Sequence, residues 1–262
     1  MLKKIFKIVA YVFAITSLLM LVSFAVDNNN RAICSSFNIY IQYSGDNYFL
    51  DEDDIRREVY SALDTIEGKI LQDVEINVVE SIISDMEYVE IVHVYRTIAG
   101  QINVVAKPRK PIVRIINTDN NSFYMDNNGK LMPFSSRYTS RVPVVFGDIR
   151  AVYSPVINLK DYETLEYSKN KEKLVEIFML AEYIDNDPFW KAFIDQIYIT
   201  EMGEAELIPK GNLHRIEFGN ISDINEKFSK LKVFYKNGLT RVGWQQYRVV
   251  NLKFNNQIVC SK

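Results

Sequence analysis

The sequence predicts an α+β protein with two domains behind a single N-terminal transmembrane helix. The first is a small strand-helix-helix-strand-strand domain, the second a mostly antiparallel β domain with two helices. Three observations carry this prediction. An uncharged run of 19 residues opens the chain, from Ile8 to Val26. Apolar residues after it recur with the period of two that marks a half-buried strand, or at the spacing of one helix face. All seven prolines lie after residue 107, a step in composition that places a domain junction near Lys107 to Pro111.

The opening run sets the compartment. As a helix it spans about 28 Å, close to the roughly 30 Å of a bilayer's hydrocarbon core. Lys3, Lys4 and Lys7 precede it and Asp27 follows it, so residues 1–7 stay in the cytoplasm and the rest of the chain lies outside the membrane. A cleaved secretory signal competes with this reading, because Ser23 and Ala25 are small residues at cleavage-site spacing. Its apolar core is usually about 7–15 residues, however, which favours a retained anchor over residues 8–26. Processing as a lipoprotein at Cys34 is disfavoured, since Arg31-Ala32-Ile33 is not a small apolar run. Residues 27–36, beginning Asp27-Asn28-Asn29-Asn30, are polar and aperiodic and read as a tether.

In residues 37–108, Phe37, Ile39, Ile41 and Tyr43 alternate as a strand. The acids Asp51 to Asp54 then start a helix with Ile55, Val59, Ala62, Leu63 and Ile66 at helical spacing. Asp73 is placed to cap a second helix that turns Ile76, Val79, Ile83 and Met86 inward. Tyr88–Arg96 and Gln101–Lys107 read as two strands joined through Thr97-Ile98-Ala99-Gly100.

Residues 109–262 open with the strand Pro111–Asn117. A hairpin follows, Phe123-Tyr124-Met125 to Lys130–Phe134 through Asp126-Asn127-Asn128-Gly129, and then the strand Arg141–Phe146. Helices are expected over Lys171–Ile184 and Asp223–Asn237, the second started by Ser222 and ended by Gly238. Ile194–Thr200, Leu213–Phe218 and Tyr247–Phe254 supply further strands.

Charge and composition exclude several functions. Residues 27–262 hold 28 bases and 33 acids, which is no footprint for nucleic acid. Two cysteines, Cys34 and Cys260, cannot build a disulfide scaffold or a cysteine-rich zinc module, although an oxidising compartment leaves a bond between them open. Asp51 to Asp54 and Asp126-Asn127-Asn128-Gly129 both break the calcium-loop template and read instead as a helix cap and a tight turn. His93 and His214 each lack a second ligand at metal spacing and read as structural. Phosphate loops and nucleophile elbows are missing, and no catalytic, cofactor or metal residues are assigned.

The order of several segments resembles one family. Tyr88-Val89-Glu90-Ile91-Val92-His93-Val94-Tyr95-Arg96 is followed by Gly100-x-Ile102-x-Val104 and by Lys107-Pro108-Arg109-Lys110-Pro111-Ile112-x-Arg114-Ile115. Tyr124-x-Asp126, Gly129, Met132-Pro133 and Arg141-Val142-Pro143-Val144-x-x-Gly147 continue the likeness. The tail runs from Gly243-Trp244-x-x-Tyr247 through Asn251-Leu252-Lys253-Phe254 to Ile258-Val259-Cys260. Together these resemble the bacterial cell-division protein family FtsQ/DivIB, in its Bacteroidetes branch. The resemblance implies a POTRA domain over residues 37–108 and an FtsQ-type β domain over 109–262, with no enzymatic activity. It further implies an inner-membrane, single-pass protein at the division septum, its C-terminal domains periplasmic. The implied partners are FtsB-like and FtsL-like bitopic proteins, and through them the septal synthase pair FtsW and FtsI.

A terminal strand often lies at a sheet edge, where unpaired backbone groups accept another chain. The resemblance puts the partner-binding segment at Tyr247, Arg248, Val249, Val250, Asn251, Leu252, Lys253 and Phe254, with Trp244 just before it as an aromatic anchor. Period two gives Val250, Leu252 and Phe254 to the domain and presents Tyr247 and Val249 to the partner. A second candidate is the strand Gln101–Lys107, if it lies at an edge. Two other classes stay open: a POTRA-bearing secretion or outer-membrane assembly component, which would need a barrel partner, and a secreted hydrolase, which cell-wall cleavage would reveal.

Overall fold

The structure is a computed structural model that describes residues 11, 13–20, 32–161, 169–211, 213–240, 243 and 246–262. Most of the expected membrane span therefore lies outside the described residues. Residues 13–20 are helical, and among the described residues no helix is long and apolar enough to cross a membrane. The chain divides into two compact units, one ending at Ser44 and resuming over Leu50–Pro108, the other formed by Gly45–Phe49 with Arg109–Lys262.

The first unit has strand β1 (Ser36–Ile41), helices α1 (Glu52–Leu63) and α2 (Ile76–Ser84), and strands β2 (Val89–Arg96) and β3 (Gln101–Pro108), in the expected order. Its sheet runs β1-β3-β2, with β1 parallel and β2 antiparallel to β3. Strand β3 is thus central, and the expectation that Gln101–Lys107 could be an edge is corrected. Asp51 and Asp54 form a reciprocal capping box: each carboxylate accepts from the other's backbone N–H, at 2.8 and 3.2 Å. Asp73 does not cap α2, whose first residue follows Glu75 without a side-chain cap. Phe37, Ile39, Ile55, Val59, Val79, Ile83, Val92, Val94, Ile102 and Val104 close one core on the helix side of the sheet.

The second unit carries β4 (Pro111–Ile116), β5 (Ser122–Asp126), β6 (Leu131–Pro133), β7 (Val144–Gly147), α3 (Lys169–Asn186), α4 (Pro188–Phe193), β8 (Ile194–Ile199), β9 (Ala205–Pro209), β10 (Arg215–Gly219), α5 (Ile224–Phe234), β11 (Val249–Asn251) and β12 (Val259–Ser261). Its nine strands run β12-β11-β10-β9-β8-β7-β4-β5-β6, mostly antiparallel. Helix α4 and strands β9 and β12 were not foreseen. Asp187 caps α4, accepting from Phe189 N at 2.8 Å, with Pro188 in the first turn.

Helix α5 starts and ends differently from expectation. Asp223 precedes it in a left-handed conformation without a side-chain cap, and Ser222 instead bonds the Asp223 carboxylate. Gly238 lies inside a π-helical turn, Tyr235–Leu239, where a Cβ would sit 2.9 Å from the Phe234 ring. That glycine serves a close approach rather than a C-cap.

Candidate functional site

The site is built from the last three strands. Strands β10 and β11 are parallel, and α5 makes the crossover between them, since parallel neighbours cannot be joined by a tight turn. Packing fixes the crossover: Phe228 stacks on Tyr183 at 4.6 Å and lies 4.8 Å from Trp190 and 5.2 Å from Phe218. Burying such an aromatic fully contributes about 1.5–3 kcal/mol. Lys227 is buried too, and its ammonium donates to the Asn220 backbone and side-chain oxygens at 2.6 and 2.7 Å.

Val249, Val250 and Asn251 lie opposite Arg215, Ile216 and Glu217 on one side and opposite Ser261, Cys260 and Val259 on the other. Arg215 N donates to Arg248 O at 2.8 Å, Leu252 N to Glu217 O at 2.9 Å, and Arg248 N to Ser261 O at 2.9 Å. The segment expected to be the edge strand is therefore paired on both flanks by its own neighbours. This corrects the placement of Tyr247 to Phe254 at the sheet edge. The edge is β12, and the reason is local: Asn251 Oδ1 accepts from Lys253 N at 2.9 Å, the strand stops there, and the chain turns through Asn256 (φ 58°) to return along its own outer side.

The side chains follow this turn. Val250 and Leu252 are buried in the core, as alternation requires. Phe254, expected to pack on the domain, is 47% exposed because it falls after the strand has ended. Tyr247, expected to face a partner, packs half-buried against the core, as does Cys260 on the edge strand. Val249 and Asn251 are half-buried, and Arg248 and Lys253 are exposed. Trp244 lies outside the described residues.

Polar contacts brace both faces. Arg215 bridges Glu206 at 3.5 Å and Glu217 at 3.6 Å, Asn251 donates to Glu217, and Lys253 pairs with Glu204, tying β9, β10 and the end of β11 together. The hydrogen bond that Lys253 donates to Glu204 holds its ammonium above the usual pKa. Within the core, His214 Nε2 lies 2.8 Å from Tyr235 Oη and its Nδ1 has no hydrogen-bond partner. Burial holds this imidazole below its ordinary 6.5 and pushes the Tyr235 phenol and the Cys260 thiol up. Both cysteines are free thiols, Cys34 buried. Among the described residues no group of His, Cys, Asp and Glu could hold a metal ion. What this corner offers is backbone hydrogen bonding along an edge.

The four sheet edges are not equivalent. At β1, Arg56 reaches from α1 to Phe37 O at 3.2 Å. At β2, Glu80 on α2 accepts from Val94 N at 2.9 Å. At β6, Pro133 lacks a donor, and the hairpin leading into it is covered by a Lys130–Asn158 bridge and by Leu159 N donating to Gly129 O at 2.9 Å. On the outer side of β12, among the described residues, neither a strand nor a helix side chain occupies the backbone.

Comparison with known families agrees with this architecture. Residues 110–261 match the model described as FtsQ/DivIB, C-terminal related, and residues 32–107 match a POTRA-like domain. The chain belongs to the FtsQ/DivIB family. Domains of this kind act as scaffolds in cell division and are typically non-enzymatic. A search of curated proteins finds no match to the chain. For this FtsQ/DivIB protein, the sequence pattern read one strand in the terminal region and missed the outermost one. Ile258-Val259-Cys260-Ser261 is too short to show a period of its own.

Proposed function

We propose that this FtsQ/DivIB-family protein is a non-enzymatic divisome scaffold that takes up short bitopic proteins of the FtsB and FtsL kind by strand addition, and so connects them to septal peptidoglycan synthesis by FtsW and FtsI. Residues 8–26 anchor it in the inner membrane, with the POTRA domain (37–108) and the β domain (109–262) in the periplasm at the septum. The observation that carries this reading is the open outer side of β12, against three edges closed by the protein's own residues. An edge strand with unoccupied backbone groups invites another chain, and natural proteins usually blunt such edges. The guest strand lies beside Val259–Ser261. Tyr247, Arg248, Val249, Val250, Asn251, Leu252, Lys253 and Phe254, with Trp244, then support and flank it rather than pair with it directly.

Removing Val259–Lys262 from the full chain tests this. The expected result is loss of co-purification of short single-pass proteins from membranes and loss of septal localisation, with the circular dichroism of the remaining protein retained. Undiminished co-purification by a folded truncation would overturn the reading.

A further inference from the structure

The end of the chain carries a charge that the whole-chain balance conceals. From Lys227 to Lys262 there are eight bases and no aspartate or glutamate, whereas residues 27–226 hold 20 bases and all 33 acids. Strands β11 and β12, the π-helical turn and most of α5 derive from this stretch. Lys230 on α5 donates to Phe254 O, in the turn between β11 and β12, at 2.9 Å. Arg248 is exposed, and its backbone is bonded to Ser261. Lys262 is exposed directly after β12. Lys253 is engaged by Glu204, but Lys230, Arg248 and Lys262 make no ion pair among the described residues. Two apolar side chains of this segment are exposed, Phe254 in the turn after β11 and Val259 on β12.

Backbone pairing along an edge is indifferent to sequence, so selection among guests falls to the side chains around it. Three cations at one open strand attract carboxylates over a Debye length of about 8–10 Å and repel a basic segment. Resting on the reading of β12 as the docking edge, we propose that the segment it receives is an acidic, extended stretch of protein. Carboxylates at alternate positions meet the collar of Lys230, Arg248 and Lys262, and apolar residues cover Phe254 and Val259. Alternate residues of a strand share a face, so a guest with an acid at every second position offers one charged side to this collar.

The test uses the full chain in zwitterionic lipid nanodiscs and two twelve-residue peptides in which valine alternates with glutamate or with lysine. Peptide affinity and the rate of maleimide alkylation at Cys260 are read together, because Cys34 is buried and silent. The glutamate peptide is expected to bind and to slow alkylation. Its affinity should fall about tenfold or more between low and high salt. The double variant Arg248→Glu, Lys262→Glu, altered at two exposed residues, should shift the preference about tenfold towards the lysine peptide. Equal protection by both peptides would overturn the charge selection while leaving strand docking in place. Protection by neither would overturn both. Protection by phosphatidylglycerol vesicles but not by the glutamate peptide would assign the collar to the membrane surface instead.

Discussion

The first and second units solve the same problem, a sheet with helices packed on it, and treat their edges in opposite ways. In the first, each outer strand receives a side chain from a helix: Arg56 on the Phe37 carbonyl and Glu80 on the Val94 amide. Arg56 is itself held, lying 5.7 Å from the Phe37 ring and 5.8 Å from the Tyr60 ring, and donating to Tyr60 Oη at 3.1 Å. In the second unit the hairpin β5–β6 is closed and β12 is not. Element order explains the difference. α1 and α2 lie close in sequence to the strands whose edges they reach, whereas α5, the helix nearest β12 in sequence, is taken up by the crossover between β10 and β11. The proposed docking of another chain rests on this one edge, open among the described residues where three others are closed.

The comparison can be broken most severely at the closed end of the second unit. Asp126 is fully buried, pairs with Arg109 at 3.0 Å, and its other oxygen accepts from Asn128 N at 2.9 Å and Lys130 N at 2.8 Å. Asp126→Ala would break the buried pair with Arg109 and loosen the hairpin, an expected loss of about 3–5 kcal/mol in denaturant unfolding. Opening the first unit is milder. Glu80→Ala leaves the Val94 amide without its acceptor, with an expected cost of about 1–2 kcal/mol. It should also give concentration-dependent self-association in sedimentation velocity, because β2 then presents a second open edge. Arg56→Ala should cost about 1 kcal/mol, losing one carbonyl bond and two ring contacts. A Glu80→Ala protein that stays monomeric would show that Glu80 is not what closes β2.

The smallest effect concerns pH. The buried His214 titrates below its ordinary 6.5, so the unfolded chain takes up its proton first as pH falls. Its contribution is intact above about pH 6.5 and is lost progressively below that value, with a slope of at most about 1.4 kcal/mol per pH unit for one proton. His214→Gln should flatten that part of the unfolding midpoint's pH profile; an unchanged profile would remove His214 from the account.

Much of this was legible in the sequence. The first unit's element order follows from its alternation and from the acids at Asp51 to Asp54, and Asp126 to Gly129 reads as a turn with Gly129 at φ 77°. What escaped is short or set by tertiary contact. Ala205–Pro209 sets glutamate against apolar residues beside a proline, and Pro188–Phe193 is barely more than one turn despite the Asp187-Pro188 start signal. The misplacement of the edge shows the limit plainly. Alternation from Tyr247 to Phe254 predicts a strand, but only the Asn251 turn and the return of Val259–Ser261 decide which strand is outermost. The basic tail, by contrast, could have been read from a windowed charge count, and averaging over the chain hid it.

The central claim is best tested by photocrosslinking in membranes with the full chain, placing a photoreactive residue at position 259 on β12 or at position 95 on β2. Capture of a short single-pass protein from position 259 and none from position 95 is the predicted result. Capture from position 95 alone, or from neither position, would contradict an account in which the open edge is the docking strand.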